Sequence, residues 1–170
     1  MLVYIIAAIT LDGFIGKSAD HRSTEWTSPE DKKFFINRTK QSGAILMGST
    51  TYNTIGRPLP GRLNLIYTNH PEKYPSDNPQ LLRTTNLPPK ELVHQLQATG
   101  YKELAICGGG TIYSLFMAAG VVDKLYLTVE PVLFGQGIPL FSHPLNQKLK
   151  LAKLDHLSSQ TLLLEYDVEK

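Results

Sequence analysis

The chain has 170 residues, of which 42% are hydrophobic and 19% charged, a size and balance that suit one domain with a single core and exclude intrinsic disorder. The formal net charge of +2 comes from 17 basic and 15 acidic residues that are interspersed, so no nucleic-acid patch and no membrane-surface helix is expected, only a weak bias toward anionic ligands. A single cysteine, Cys107, excludes an intramolecular disulfide and a CxxC-type metal site, and fits a reducing cytoplasm.

The opening VYIIAAIT, ended by Asp12-Gly13, lacks the basic start of a signal peptide and is too short to cross a bilayer. A continuous apolar run stopped by a turn pair predicts a strand covered on both faces. The runs AILMG (44–48), LNLIYT (63–68), LAICG (104–108) and KLYLTVEPV (124–132) repeat that signal, and they alternate with helical patterns at 29–40, 89–98 and 111–119. Such alternation predicts an α/β fold over residues 1–170: a single domain with a central, largely parallel twisted sheet, flanking helices, and LLLEYDV (162–168) closing a C-terminal antiparallel hairpin. In such sheets ligands bind beyond the carboxyl ends of the strands, which directs attention to the residues after each run.

Ser28-Pro29-Glu30-Asp31 has the form of a helix start, with serine at the N-cap, proline in the first helical position and acids in the first turn. Taken alone, the tetrapeptide makes Asp31 a capping-box carboxylate. Phe34, Phe35 and Arg38 lie three, four and seven residues on, which places Asp31 on an apolar helical stripe where a carboxylate needs a polar partner. Gly108-Gly109-Gly110, after one strand and before a helix, offers backbone N–H groups to an anion, and Met47-Gly48-Ser49-Thr50-Thr51 repeats the arrangement after a second strand. Either turn could also be a tight connection that binds nothing. IGRPLPGR (55–62) is a proline-stiffened loop suited to presenting a forked guanidinium to a carboxylate, although two solvated arginines beside a turn would be the plainer reading. The five histidines show no metal-ligand spacing and read as surface residues, and Cys107 reads as a buried small hydrophobe.

Five segments in order, IIAAITLDGFIG, W-x-x-PED-x-x-FF, ILMGSTTYNTIGRPLPGR, ICGGGTIYSLF and KLYLT, resemble the dihydrofolate reductase family across nearly the whole chain. The resemblance implies reduction of dihydrofolate by NADPH, with hydride passing from the nicotinamide to C6 of the pterin and a proton to N5. It makes Asp31 the acid of the pterin pocket, Trp26 the holder of a water beside that acid, and Thr128 the hydroxyl supporting acid and ring. Ile6, Ala8, Phe35 and Leu59 match pocket walls, and Arg62 matches the arginine that takes the substrate's α-carboxylate. Ala8, Ile15, Gly16, Gly48, Ser49, Thr50, Thr51, Thr68, Asn69, Gly108, Gly109, Gly110, Thr111, Ile112 and Tyr113 match positions that line the cofactor.

The match has departures. Ser49 stands where a basic residue usually meets the cofactor phosphates, Asn69-His70 replaces the usual pattern near the 2′-phosphate, and Lys32 replaces a wall residue. The polar loop KSADHRSTE (17–25) is longer than the lid it matches. VEPVLFGQGIPLF (129–141) and TSPED resemble instead the reductase half of the bifunctional riboflavin-pathway enzyme, which reduces a ribosylamino-pyrimidine; its deaminase half, whose zinc motif needs several cysteines, is missing. A nucleotide-binding module without catalysis is the third reading, disfavoured by intact Asp31 and GGG. A cytoplasmic monomer or homodimer acting on a small molecule is expected.

Overall fold

A computed structural model describes the whole chain, Met1–Lys170. In chain order, β1 (Leu2–Thr10) and a short β2 (Phe14–Gly16) precede α1 (Pro29–Ser42), β3 (Ala44–Gly48), α2 (Ser49–Ile55), β4 (Leu63–Tyr67) and β5 (Leu82–Thr85). There follow α3 (Pro89–Ala98), β6 (Glu103–Ile106), α4 (Gly110–Ala118), β7 (Lys124–Glu130), β8 (Ile138–Pro139), β9 (Leu149–His156) and β10 (Leu162–Val168). Eight strands form one sheet in the order β5-β4-β3-β6-β1-β7-β10-β9, and β2 with β8 forms a separate ribbon. The first six are parallel, and β10 runs antiparallel to both β7 and β9.

The central strands are continuous apolar runs because both sheet faces are covered. On one face Tyr4, Ile6, Ile45, Met47, Ala105 and Tyr126 pack with Phe34 and Phe35 of α1 and with Tyr52 and Ile55 of α2. On the other, Val3, Ile5, Leu46 and Ile106 pack with Leu92 and Leu96 of α3 and with Ile112, Tyr113 and Phe116 of α4. Alternation along β1 thus divides its side chains between two cores, as a strand's two-residue period requires. Arg38 fastens α1 to the sheet: its guanidinium lies 4.1 Å from the Tyr4 ring centroid and 2.6 Å from the Glu103 carboxylate on β6.

Five elements escape a reading by apolar runs. β5 has only four residues with one buried side chain, Leu82, and β9 is mostly exposed, so neither carries a core signature. α2 holds no buried residue. β2 and β8 pair over too few residues to show a period. In β9, Ala152 faces no residue of β10, and this bulge keeps Leu149, Leu151 and Leu154 on the face that carries Leu164, Tyr166 and Val168.

Candidate functional site

Asp31 sits in the first turn of α1, and both of its sequence readings meet there. Ser28 is the N-cap, and its hydroxyl accepts from the Asp31 backbone N–H at 3.1 Å, half of a capping box. The reciprocal bond is not made by Asp31. The Ser28 N–H donates instead to Oε1 of Glu130, at 2.8 Å. Relieved of the cap, the buried Asp31 carboxylate lies among the Thr128 and Thr27 hydroxyls, which favour its charged form.

The residue is 8% exposed. Burial pushes its carboxyl above the usual carboxylate range; the two hydroxyls oppose the shift and the negative Glu130 adds to it. The register of β1 and β7 supplies the floor beneath it. Ile6 pairs with Tyr126, Ala8 with Thr128 and Thr10 with Glu130, so these six side chains share one face of two adjacent strands.

Phe35 lies one helical turn beyond Asp31 and Leu59 in the loop between α2 and β4, both against the cluster that contains Ile6 and Tyr126. Asn64, fully buried at the start of β4, donates to the Leu59 carbonyl at 2.8 Å and the Arg62 carbonyl at 2.9 Å, and accepts from the Leu59 N–H at 2.8 Å. One amide side chain thus fixes both ends of the turn. Arg62 is 6% exposed, and its Nη1 donates to the Ile36 carbonyl of α1 at 2.9 Å. Its Nε has no partner and no carboxylate of the chain pairs with it. A guanidinium kept this way, with proton affinity lowered by burial, is an electrostatic demand for an anion. Asp31 and Ile36 are five residues apart, a rise of roughly 7.5 Å along the helix, so only an extended ligand can engage acid and guanidinium together.

Trp26 packs edge-on against Phe134, ring centroids 5.2 Å apart, and its buried Nε1 has no partner in the chain. An open cleft of about 470 Å³ is lined among others by Trp26, Thr27, Ser28, Glu130 and Thr161.

The adjacency of β4, β3 and β6 gathers the glycine turns at one end of the sheet. Gly48 donates its N–H to the Gly108 carbonyl at 2.8 Å, which ties the two turns together. Gly108, with φ +122° and followed by a cis peptide to Gly109, lies where an added Cβ would sit 3.3 Å from the Tyr113 hydroxyl and 3.5 Å from that of Thr51. Only glycine suits this backbone. The N-terminus of α4 has no side-chain cap; its Ile112 and Tyr113 N–H groups donate to the Gly109 carbonyl, those of Gly110 and Thr111 have no such partner, and the Thr51 hydroxyl lies beside Gly108 and Gly109. Ile112 packs against Gly48, and Thr111 is exposed at the head of α4. Ser49 and the exposed Thr50 open α2, while Thr68 and the exposed Asn69 follow β4. Ile15 and the buried Gly16 lie in β2, where Gly137 of the facing segment passes in contact with the Gly16 carbonyl. Uncapped donors, hydroxyls and glycine backbone fit a dinucleotide pyrophosphate.

Of the two sequence readings of Asp31, the capping-box one is not formed. His21 is partly buried, with Nδ1 accepting from the Lys17 N–H at 3.1 Å, whereas the other histidines are exposed. Lys32 is exposed and forms no wall. Cys107 is partly rather than fully buried, and desolvation pushes its thiol up to about 12. Glu130 escaped sequence reasoning; its signal was a glutamate two residues after Thr128 in a largely apolar strand, hence on the same face.

The dihydrofolate reductase family model matches residues 2–134. The type 3 dihydrofolate reductase of Salmonella typhimurium is 31% identical over 128 residues, 75% of this chain and 71% of that one. The dihydrofolate reductase of Buchnera aphidicola is 29% identical over 147 residues, 84% of this chain and 80% of that one. Among solved structures, a putative riboflavin biosynthesis protein from Shewanella sp. PV-4 superposes with a TM-score of 0.78 at 20% identity, covering 100% of both chains. A deaminase/reductase from Thermotoga maritima gives a TM-score of 0.80 at 17% identity, covering 99% of this chain and 56% of that one. At such identities the structural likeness is one of fold. The ordered motifs, the sheet that carries them and the family match agree that this chain belongs to the dihydrofolate reductase family of oxidoreductases.

Proposed function

We propose that the protein reduces dihydrofolate to tetrahydrofolate with NADPH. The observation that carries this reading is the pair of buried ionic groups on the α1 face: the Asp31 carboxyl, beside Thr128, and the Arg62 guanidinium, held by Ile36 and without an anionic partner. A pterin with a benzoyl-glutamate tail has an amino and ring N–H edge for Asp31, an aromatic body for Phe35 and Leu59, and a carboxylate for Arg62.

NADPH would lie along Gly48, Thr51 and Gly108–Tyr113 with its nicotinamide toward Ala8 and Ile15, and when bound it supplies the hydride. The chain's own contribution is alignment, exclusion of water and one ionisable group. Asp31 is suited to the last of these because a carboxyl whose proton is held more tightly than usual can retain it nearer neutrality and release it toward N5. Trp26, with Nε1 directed inward, holds a water on that route, and Thr128 fixes the orientation of the carboxyl. Ser49 and Asn69-His70 supply little positive charge for a 2′-phosphate, so the preference for NADPH over NADH is modest.

The test is decay of reduced-nicotinamide absorbance with dihydrofolate, repeated with a ribosylamino-pyrimidine. Turnover with dihydrofolate supports the proposal. Turnover with the pyrimidine alone would assign the site to the second chemistry, which the segment VEPVLFGQGIPLF favours, and turnover with neither would leave a binding module.

A further inference from the structure

We propose that Glu130 is a positioning residue for Asp31: by taking the cap donors of α1, it holds the Asp31 carboxyl in the pocket. This rests on the reading of Asp31 as the site's acid. Glu130 is 3% exposed at the end of β7, the only acid of a strand whose other charged residue, Lys124, lies at its opposite end. Its carboxylate accepts from the Ser28 N–H at 2.8 Å, the Ser28 hydroxyl at 2.8 Å and the Thr161 hydroxyl at 3.0 Å. These bonds orient Ser28. Its single hydroxyl hydrogen is committed to Glu130, so a lone pair faces the Asp31 N–H, as the 3.1 Å contact requires. A serine N-cap with an acid in the third helical position ordinarily closes a capping box. Here the sheet supplies the acid for the Ser28 N–H, and the helix's own acid is released into the pocket.

The arrangement has an electrostatic consequence. The polar groups that act on Asp31 are Thr128 and Glu130 from β7, Thr27 from the segment before α1 and the Tyr113 phenol of α4, which itself donates to the Ile6 carbonyl; its helical neighbours Glu30 and Lys32 are exposed. The negative charge of Glu130 therefore favours the protonated form of Asp31, and a neutral group in its place lowers the acid's proton affinity.

Two substitutions separate geometry from charge. Glu130→Ala leaves the Ser28 N–H without its acceptor, so Asp31 swings back to close the box and kcat/KM for dihydrofolate falls at every pH, on the order of 10²-fold as for a displaced catalytic group. Glu130→Gln keeps a carbonyl acceptor for Ser28 and removes the charge. It recovers most of the low-pH plateau lost in the alanine variant, while the inflection of kcat/KM against pH moves to lower pH. Protonation of Asp31 is followed in parallel from its infrared carboxyl band, taken as the difference between each protein and the same protein carrying Asp31→Asn, which requires no turnover. Should Glu130→Ala fail to fold, the glutamine variant and the infrared titration still decide the matter. An infrared titration of Asp31 unmoved by Glu130→Gln, or an alanine variant with the wild-type plateau, would overturn the proposal. Full turnover in Asp31→Asn itself would refute the acid's catalytic part instead, and the infrared shift would still report whether Glu130 governs it.

Discussion

Replacing Asp31 with asparagine separates a catalytic carboxyl from a capping one, and the structure gives the stability change a sign. Capping at Ser28 uses the Asp31 backbone N–H, which asparagine retains, and the reciprocal bond belongs to Glu130. No cap is lost, so the charge–dipole loss of about 0.3–1 kcal/mol expected of a first-turn acid is opposed by a larger effect. Burial raises the folded-state proton affinity of Asp31 above that of the unfolded chain, near pKa 3.9 for an ordinary aspartate. For a carboxyl raised on folding, the charged form is the unfavourable one. The cost is absent below the unfolded value, grows as pH rises through the folded value, and is complete above it.

Asp31→Asn removes that cost. At neutral pH the variant is expected to be more stable by about 0.5–2 kcal/mol, the usual gain when an active-site compromise is relieved. For a chain of this size each kcal/mol corresponds to roughly 2–4 °C in Tm. The advantage disappears as the pH is lowered past the unfolded value. Turnover moves the other way: loss of the general acid lowers kcat/KM by about 10²–10⁴-fold, roughly 3–5 kcal/mol, while NADPH binding persists. The assays are thermal melting from acid to neutral pH, cofactor fluorescence titration and kcat/KM. A variant that melts several degrees early at neutral pH and keeps near-normal turnover would refute the reasoning.

Arg62→Met preserves much of the buried volume and removes the guanidinium; KM for dihydrofolate is expected to rise by roughly 10–150-fold, about 1.5–3 kcal/mol for a charge-assisted bond, while a tail-less pterin is nearly unaffected in steady-state assays. Ser49→Arg should raise the ratio of kcat/KM for NADPH over NADH, and an unchanged ratio would place the 2′-phosphate elsewhere. A Cβ on Gly110 would lie 2.9 Å from the Pro139 carbonyl; Gly110→Ala is therefore expected to cost about 1–3 kcal/mol of stability in denaturant melts and to weaken cofactor binding as the head of α4 shifts. In wild-type protein kcat/KM should be highest where Asp31 is protonated and fall as pH rises through its raised folded-state value, a profile that pH–rate measurements check.

The sequence by itself determined the architecture and pointed to most residues of the proposed site. Runs such as VYIIAAIT and AILMG are apolar at successive positions, a pattern stable only with both faces covered, and the intervening helical periods leave a largely parallel sheet as the solution. Glycine at 48 and 108–110 and the acid at 31 were legible because local backbone demands and a polar residue on an apolar stripe are properties of neighbouring residues. Strands β5 and β9 were not legible, since a short or exposed edge strand is held by pairing with a partner remote in the chain and carries no core pattern of its own. Nor could the tetrapeptide at 28–31 decide between cap and pocket. That choice belongs to Glu130, 102 residues from Ser28, which occupies the capping position through the register of β7 against β1. Arg62 likewise lost its reading as a solvated surface residue only when Asn64 folded its loop under α1 and buried the guanidinium against the Ile36 carbonyl. A hydrogen bond is indifferent to sequence separation, so which of two local acids satisfies a donor, and which is left free for chemistry, is settled only when the sheet brings distant residues together.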